Sequence, residues 1–258
     1  MSDELKVQRV VIRDDRAWER TGGYGYVDRL GLNPDQWFRL CEDFAQAAGG
    51  PLPGWLKTGI SGSAGGAIEF VTNAPAGALA LSHGAIEGAE TLRVTMGDNF
   101  SLDTNASLIF QSRFRLSYAD SEGLSDGQSL VIGLASAWND VLDDIDKVAW
   151  FRIGSGGVDI RFESRDGTTS TGWRSSGLAA PDGEWVTVKI DALDLADIRF
   201  YVSEESRVQP YDFVLVGRAD ISGWSGGAQI VAALQRVGGA RQDVAEIDYL
   251  AVAGTRWN

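Results

Sequence analysis

Hydrophobic and polar positions alternate along most of the chain after its first fifty residues. Residues 107–117 show the pattern clearly, because Phe110 and Phe114 fall on one face and Arg113 and Arg115 fall on the other. A period of two places successive side chains on opposite faces of a strand. The pattern therefore predicts strands with one buried and one solvated face, as in an antiparallel sandwich.

Similar runs recur at close spacing along the chain. We predict strands over residues 67–72, 78–82, 91–96, 107–117, 129–135, 147–153, 158–164, 185–191, 197–203, 229–236 and 245–252. Asp-Gly pairs such as Asp166-Gly167 and Asp182-Gly183 separate some of these runs, and glycine supplies the positive φ that tight turns require. More than ten strands at this spacing predict an all-β, two-sheet antiparallel sandwich rather than a βαβ array.

The first part of the chain has no such periodicity. Residues 6–12 (KVQRVVI) read as one extended piece, and residues 14–32 mix charges, glycines and aromatics. A segment of this composition has little core of its own, so its apolar groups should pack on the same domain or on a neighbouring subunit. We predict an extended, interface-forming N-terminal arm at 1–35 and a sandwich at 36–258. The predicted partner-binding side chains are Val7, Val10, Val11, Ile12, Trp18, Tyr24 and Tyr26.

Residues 33–48 carry two conflicting signals. Asn33-Pro34-Asp35 followed by spaced apolar residues and Gly49-Gly50 is typical of a helix with a capped start and a glycine stop. The same stretch contains WFRLCEDF, which would suit the opening strand of a sandwich. We favour the strand.

Charge and cysteine content narrow the possible partners and compartments. The 258 residues include 23 Lys and Arg against 36 Asp and Glu, a formal net charge of −13. An acidic surface repels phosphate backbones and anionic lipids, so neither nucleic acid nor a membrane is an expected partner. Cys41 is the single cysteine, which excludes an intrachain disulfide and suits a reducing cytosol. The first residues lack the apolar core of a signal peptide, so an extracellular role would need another route, such as release in a virus particle.

Little in the sequence points to catalysis, a metal or a cofactor. His83 is the single histidine and ends an apolar run, so we expect a surface residue at a strand end; Cys41 is expected to be a small buried hydrophobe. Sandwich hydrolases carry paired acids on one strand, and no E-x-D-x-E motif occurs. The acidic stretch 140–146 is either a solvated loop or a calcium site, although it matches no EF-hand spacing. We predict a protein that is not an enzyme.

Tryptophans offer one binding chemistry, because sugar rings stack on exposed indole faces. Trp150 and Trp185 lie within strand patterns and are expected in the core. Trp138, Trp173 and Trp224 lie near turns, where they either form a sugar platform or close the ends of the sandwich.

Several segments resemble concanavalin A-like (laminin G-like) jelly-roll domains over about residues 37–254. The segments are CEDF at 41–44, residues 65–103, DKVAWFRI at 146–153, residues 182–202 and EIDYLAVAG at 246–254. Within that group the acidic, nearly cysteine-free chain looks most like structural proteins of tailed bacteriophages. The acids of the hydrolase branch are missing, which argues against its activity.

The resemblance implies a non-enzymatic virion structural protein. Such a protein would be assembled in the host cytoplasm, would decorate a capsid through its arm, and would bind a capsid or other virion protein, with homo-oligomers expected. The alternative is a carbohydrate-binding module or receptor-binding tail appendage that binds a glycan. A polysaccharide hydrolase or lyase with an unusual site is a third possibility.

Overall fold

The computed structural model describes residues 37–42, 44, 52, 54–71, 77–97, 101–120, 122–124, 127–154, 156–204 and 213–255. Within these ranges the chain forms strands and short 3-10 turns but no α-helix, and no helix long and apolar enough to cross a membrane is found there. The strands are β1 (Trp37–Glu42), β2 (Lys57–Gly62), β3 (Ala67–Phe70), β4 (Leu79–Ser82), β5 (Glu90–Thr95), β6 (Leu102–Asp103), β7 (Leu108–Ser117), β8 (Gln128–Ala135), β9 (Lys147–Gly154), β10 (Asp159–Asp166), β11 (Arg174–Ala179), β12 (Val186–Ala192), β13 (Ile198–Glu204), β14 (Val214–Ala219), β15 (Gly227–Arg236) and β16 (Val244–Thr255).

Two antiparallel sheets form the predicted sandwich. The first sheet has the order β14-β13-β12-β7-β16-β4-β3, and β1 pairs with the far end of β16. The second sheet has the order β11-β10-β9-β8-β15-β5-β2, and β6 pairs with the start of β15. Neighbouring strands in each sheet are mostly distant in sequence, as a jelly roll requires. The predicted all-β jelly-roll fold is confirmed.

The core lies between the sheets and is built from the alternating residues that the sequence placed inward. Phe110 and Val188 of the first sheet are fully buried there. Phe200 of the first sheet meets Phe151 and Phe162 of the second, with ring centroids 5.5 and 5.0 Å apart. These aromatic contacts join the two layers and add to the hydrophobic burial that holds them together.

Every strand predicted from the alternation is present, with ends shifted by a few residues. The strands that hydrophobic alternation did not predict are β2, β6, β11 and β14. Three of them, β2, β11 and β14, are sheet edges, and β6 has only two residues. An edge strand buries little of either face, so its sequence need not alternate.

Residues 37–42 form a strand, so the favoured interpretation of this stretch is confirmed and a helix there is wrong. β1 pairs antiparallel with β16, from Trp37 opposite Thr255 to Glu42 opposite Leu250. The edge of β16 beyond β4 supplies partners for its backbone groups, and this pairing overrides the local capping signals. The Cys41 side chain lies outside the described residues, so its predicted burial stays a prediction.

A buried ion pair closes one end of the sandwich. Glu90 and Arg236 are opposite each other in β5 and β15, their charged atoms are 3.8 Å apart, and both side chains are fully buried. Glu90 accepts hydrogen bonds from the backbone N–H groups of Gly66 and Gly84. A side chain on Gly84 would collide with the backbone of Ala64, so this packing requires glycine.

His83 lies beside this pair, so the prediction that it is a surface residue is wrong. Its side chain is 4% exposed, and neither ring nitrogen makes a hydrogen bond of ordinary geometry within the described residues. Burial, followed by the charge of Arg236, lowers the pKa of His83 from 6.5 to about 4; Glu90 and a backbone contact with Leu234 oppose the shift.

Candidate functional site

One row of residues crosses the strands on the outer face of the second sheet. In this row Arg93 and Arg152 lie on either side of the smaller residues Ala233 and Val131. Arg93 in β5 and Arg152 in β9 are separated by β15 and β8, which places their Cα atoms about 14 Å apart at ordinary strand spacing. The row is Gly59, Arg93, Ala233, Val131, Arg152, Arg161 and Ser175, each directly opposite the next. We call it the arginine row.

The connection between β8 and β9, loop 136–146, lies on the middle of this face. Leu142 and Ile145 are buried there against outward-facing residues of the sheet, among them Val131 and Ala233. This second apolar cluster is separate from the core between the sheets. The loop is therefore held to the sheet by its own hydrophobic anchor.

The first of two polar clusters lies where the loop meets Arg93. The Arg93 guanidinium is 5.0 Å from the ring centroid of Trp138. Asp140 Oδ1 accepts from Arg93 Nη1 at 2.6 Å and from the Trp138 indole Nε1 at 2.8 Å. Gln235 donates to the Asp140 carbonyl oxygen at 2.5 Å. These contacts hold a half-buried indole beside a cation and a carboxylate.

The second cluster has the same composition on the other side of the loop. The Arg152 guanidinium is 3.5 Å from the ring centroid of Trp173, close enough for a stacked cation–π contact. Arg152 Nη1 donates to Asp143 Oδ1 at 2.7 Å, and its Nε donates to Ser129 Oγ at 3.2 Å. Burial lowers the pKa of Arg152, and Asp143 opposes that shift. Trp173 directly precedes β11, which places it beside the row.

These two clusters combine the chemistry that a hydroxyl-rich ligand requires. A half-buried indole offers a flat apolar face, while guanidinium and carboxylate groups donate and accept hydrogen bonds at its rim. Convergent polar groups beside apolar surface are the usual composition of a small-ligand site.

The predicted tryptophan platform is therefore present only in part. Trp138 and Trp173 are half-buried and belong to the two clusters, but Trp224 is buried in the core between the sheets. Trp150 is fully buried as predicted, in the outer cluster under the loop. Trp185 is not a core residue; it is half-buried on the outer face of the first sheet, with Arg113 and Arg115 over its ring.

The acidic stretch of the loop does not converge on a metal site. Asp140 and Asp143 point to different arginines, and the described residues contain no group of three or more His, Cys, Asp or Glu side chains that could hold a metal ion. The solvated-loop interpretation describes these acids better than the calcium interpretation.

The Glu163 carboxylate, which projects from the outer face of β10, is engaged by its neighbours. Glu163 is buried, accepts from the Trp150 indole at 3.1 Å and pairs with Arg165 at 3.3 Å. Charges alternate along this face of β10, where Asp159 pairs with Arg161 at 3.0 Å. Two carboxylates flanking an open cleft, as glycoside hydrolysis requires, are not found on this face within the described residues.

The predicted partner-binding residues of the arm, from Val7 to Tyr26, lie outside the described residues. Their role therefore stays a prediction. Arg93 and Arg152 were not singled out from the sequence, although each is a charged residue between two apolar neighbours at an outward position of its strand.

Comparisons with solved structures identify relatives of the fold. A protein of unknown function from Shewanella oneidensis MR-1 aligns over 90% of this chain and 95% of its own, at 13% identity and a TM-score of 0.60. The carbohydrate recognition domain of Emp47p aligns over 87% of this chain and 99% of its own, at 14% identity and a TM-score of 0.56. The endo-β-1,4-glucuronan lyase of the fungus Trichoderma reesei aligns over 76% of this chain and 90% of its own, at 14% identity and a TM-score of 0.50. No protein-family model and no curated protein matches the sequence.

At these identities the likeness shows the fold alone. The predicted all-β jelly-roll sandwich is confirmed at that level. The neighbours include a carbohydrate recognition domain and an enzyme that acts on a glycan, so the fold does not decide between binding and catalysis. Membership among bacteriophage structural proteins stays a prediction.

Proposed function

We propose that this chain is a carbohydrate-binding β-sandwich whose site is the outer face of the second sheet. The observation that carries the proposal is the pair of half-buried indoles, Trp138 and Trp173, each stacked with an arginine of one row and bordered by a loop carboxylate. The likeness in fold to the carbohydrate recognition domain of Emp47p supports it.

The spacing of the two clusters suits an oligosaccharide rather than a single sugar. The arginines that stack with the indoles are three strands apart, about 14 Å, so a chain of several sugars would be needed to reach both. Each indole would stack on a ring, while guanidinium and carboxylate groups would hydrogen-bond the hydroxyls. Loop 136–146 would lie between the two stacking points.

Replacing either indole should weaken glycan binding. We expect Trp138→Ala and Trp173→Ala each to raise the dissociation constant about tenfold, the size of one lost stacking contact. The measurement is calorimetric titration with the best ligand from a glycan array. Trp185→Ala is the matched control, because Trp185 also stacks with arginines but lies on the opposite face of the sandwich. Equal losses in all three variants would contradict the assignment of the site.

Binding without catalysis is part of the proposal. The buried, engaged carboxylate of Glu163 supports it, since an acid catalyst needs access to the scissile bond. Incubation of the protein with the bound glycan should release neither new reducing ends nor unsaturated products. Release of either by the wild type, and its loss in Glu163→Gln, would establish the enzymatic alternative.

Decoration of a capsid through the N-terminal arm is a second proposal, motivated by the sequence of residues 1–32, whose mixed composition includes apolar residues but predicts little core of its own. Deleting residues 1–32 should leave a folded sandwich that still binds glycan but no longer binds the capsid. An extended arm can add a strand to a neighbour's sheet edge, and many copies on a lattice gain avidity. Trp138→Ala in the full chain is the control and should retain capsid binding. Retained capsid binding by the truncated chain would overturn the proposed role of the arm.

A further inference from the structure

Two arginines of the arginine row, Arg93 and Arg152, form ion pairs with acids of loop 136–146 rather than with acids of the sheet. Arg161 pairs with Asp159 of its own strand, but the ion-pair partners of Arg93 and Arg152 are Asp140 and Asp143 of loop 136–146. In a chain of net charge −13, the sheet thus presents two cations whose direct ion-pair partners belong to the loop, while Glu163 of β10 acts on Arg152 at longer range.

In both pairs the arginine is the enclosed member and the carboxylate the exposed one. The Arg152 side chain is 10% exposed against 66% for Asp143, and Arg93 is 26% exposed against 52% for Asp140. Ser129 and Trp173 hold the Arg152 guanidinium without help from Asp143, and Trp138 lies against the Arg93 guanidinium. The cations are preorganised, whereas the anions sit at the solvent side of contacts that are individually weak.

The opposite face of the sandwich shows the contrast. There Arg113 and Arg115 also stack over Trp185, but their partners Asp248 and Glu246 belong to the adjacent strand β16. Those acids are fixed by the sheet and are less exposed, at 10% and 15%. Of these two sets of indole-stacked arginines, the arginine row takes its acids from a loop, whereas the opposite face takes them from a strand.

The loop backbone itself is anchored, which limits what can move. Leu142 and Ile145 are buried, and Arg165 donates to the carbonyl oxygens of Leu142 and Asp143. Rotation of the two Asp side chains into solvent would leave these contacts intact. Exchange of carboxylates is therefore compatible with the structure without an opening of the loop.

We propose that the ligand of this face is an acidic glycan whose carboxylates replace those of Asp140 and Asp143 on Arg93 and Arg152. This inference rests on the proposed glycan-binding function and names its ligand class, a polymer containing uronic acids. A planar carboxylate accepts two parallel hydrogen bonds from a guanidinium, and the adjacent indole faces stack on the sugar ring that carries it. The loop acids then act as intramolecular competitors of the ligand.

The test removes the competitors. Asp140→Asn with Asp143→Asn should bind polygalacturonate about tenfold more tightly than the wild type, because the ligand no longer has to displace two loop carboxylates from the arginines. The matched control is Asp144→Asn with Asp146→Asn, which removes the same charge from the same loop but contacts neither arginine. Arg93→Gln should weaken binding at least tenfold. Laminarin is the neutral control glycan, and dextran sulfate is the sulfated polyanion. Binding of all three polymers is measured by calorimetric titration.

The outcomes separate this inference from the function on which it rests. Tighter binding of polygalacturonate by the first double variant alone, with no gain in affinity for laminarin, supports carboxylate exchange. An equal gain in both double variants, no gain, or preferential binding of dextran sulfate overturns it. Trp138-dependent binding of laminarin without binding of polygalacturonate would overturn the acidic ligand and leave glycan binding standing. Absence of binding to all three probes, and to a glycan array, would reject both.

Discussion

Arg236→Met should lower the free energy of unfolding by about 3–5 kcal/mol, the range for breaking a buried ion pair by removing one partner. The guanidinium pairs with Glu90 and donates to four backbone carbonyl oxygens, each of which would lose this donor. The four belong to Gly84, Ile86, Gly88 and Arg241. Methionine fills much of the volume but donates no hydrogen bond, so Glu90 would remain as a buried, uncompensated charge.

The measurement is urea unfolding at neutral pH, followed by tryptophan fluorescence. The same substitution at Arg218 is the control, since Arg218 is exposed on the edge strand β14 and should hardly change the unfolding midpoint. A loss in Arg236→Met no larger than that in Arg218→Met would show that Arg236 does not hold this end of the sandwich together. Glycan binding at low temperature should survive in Arg236→Met, because the ion pair is not part of the site.

Hydrophobic alternation was sufficient to predict the sandwich because it reports burial on one face. Strands such as β7 and β12, which lie inside the first sheet, carry the full pattern and were found from it. The edge strands β11 and β14 have exposed or half-buried residues throughout and show no such period. Their position is set by pairing with β10 and β13, which is long-range information that a local pattern does not contain.

The candidate site was only partly accessible from the sequence for a related reason. Trp138 and Trp173 stand near turns, so their placement at the rim of a sheet could be expected. Their pairing with Arg93 and Arg152 depends on the order of strands in the second sheet and on the path of loop 136–146. Trp224 has similar local surroundings in sequence yet packs in the core, which shows that turn proximity alone does not determine exposure.

The burial of His83 should make the protein less stable as the pH falls from about 6.5 to about 4. The folded-state pKa is lowered to about 4, below the ordinary value of 6.5, so the unfolded chain takes up the proton first. Above pH 6.5 both states are neutral and the contribution is constant. Between the two values stability falls by up to 1.36 kcal/mol per pH unit, and below pH 4 both states are protonated, for a total loss of about 3 kcal/mol.

His83 is the single histidine, so no other side chain ordinarily titrates between pH 5 and pH 7 in this chain. The measurement is the free energy of unfolding from urea titrations at half-unit steps between pH 4 and pH 8, for the wild type and His83→Gln. Carboxylates contribute equally to both curves toward the acid end, so the difference between the curves isolates the histidine. We expect His83→Gln to be less sensitive to pH between 6.5 and 5, because glutamine takes up no proton beside Arg236. Parallel curves over that interval would mean that His83 titrates alike in the folded and unfolded chain, and that burial beside Arg236 does not keep its ring neutral.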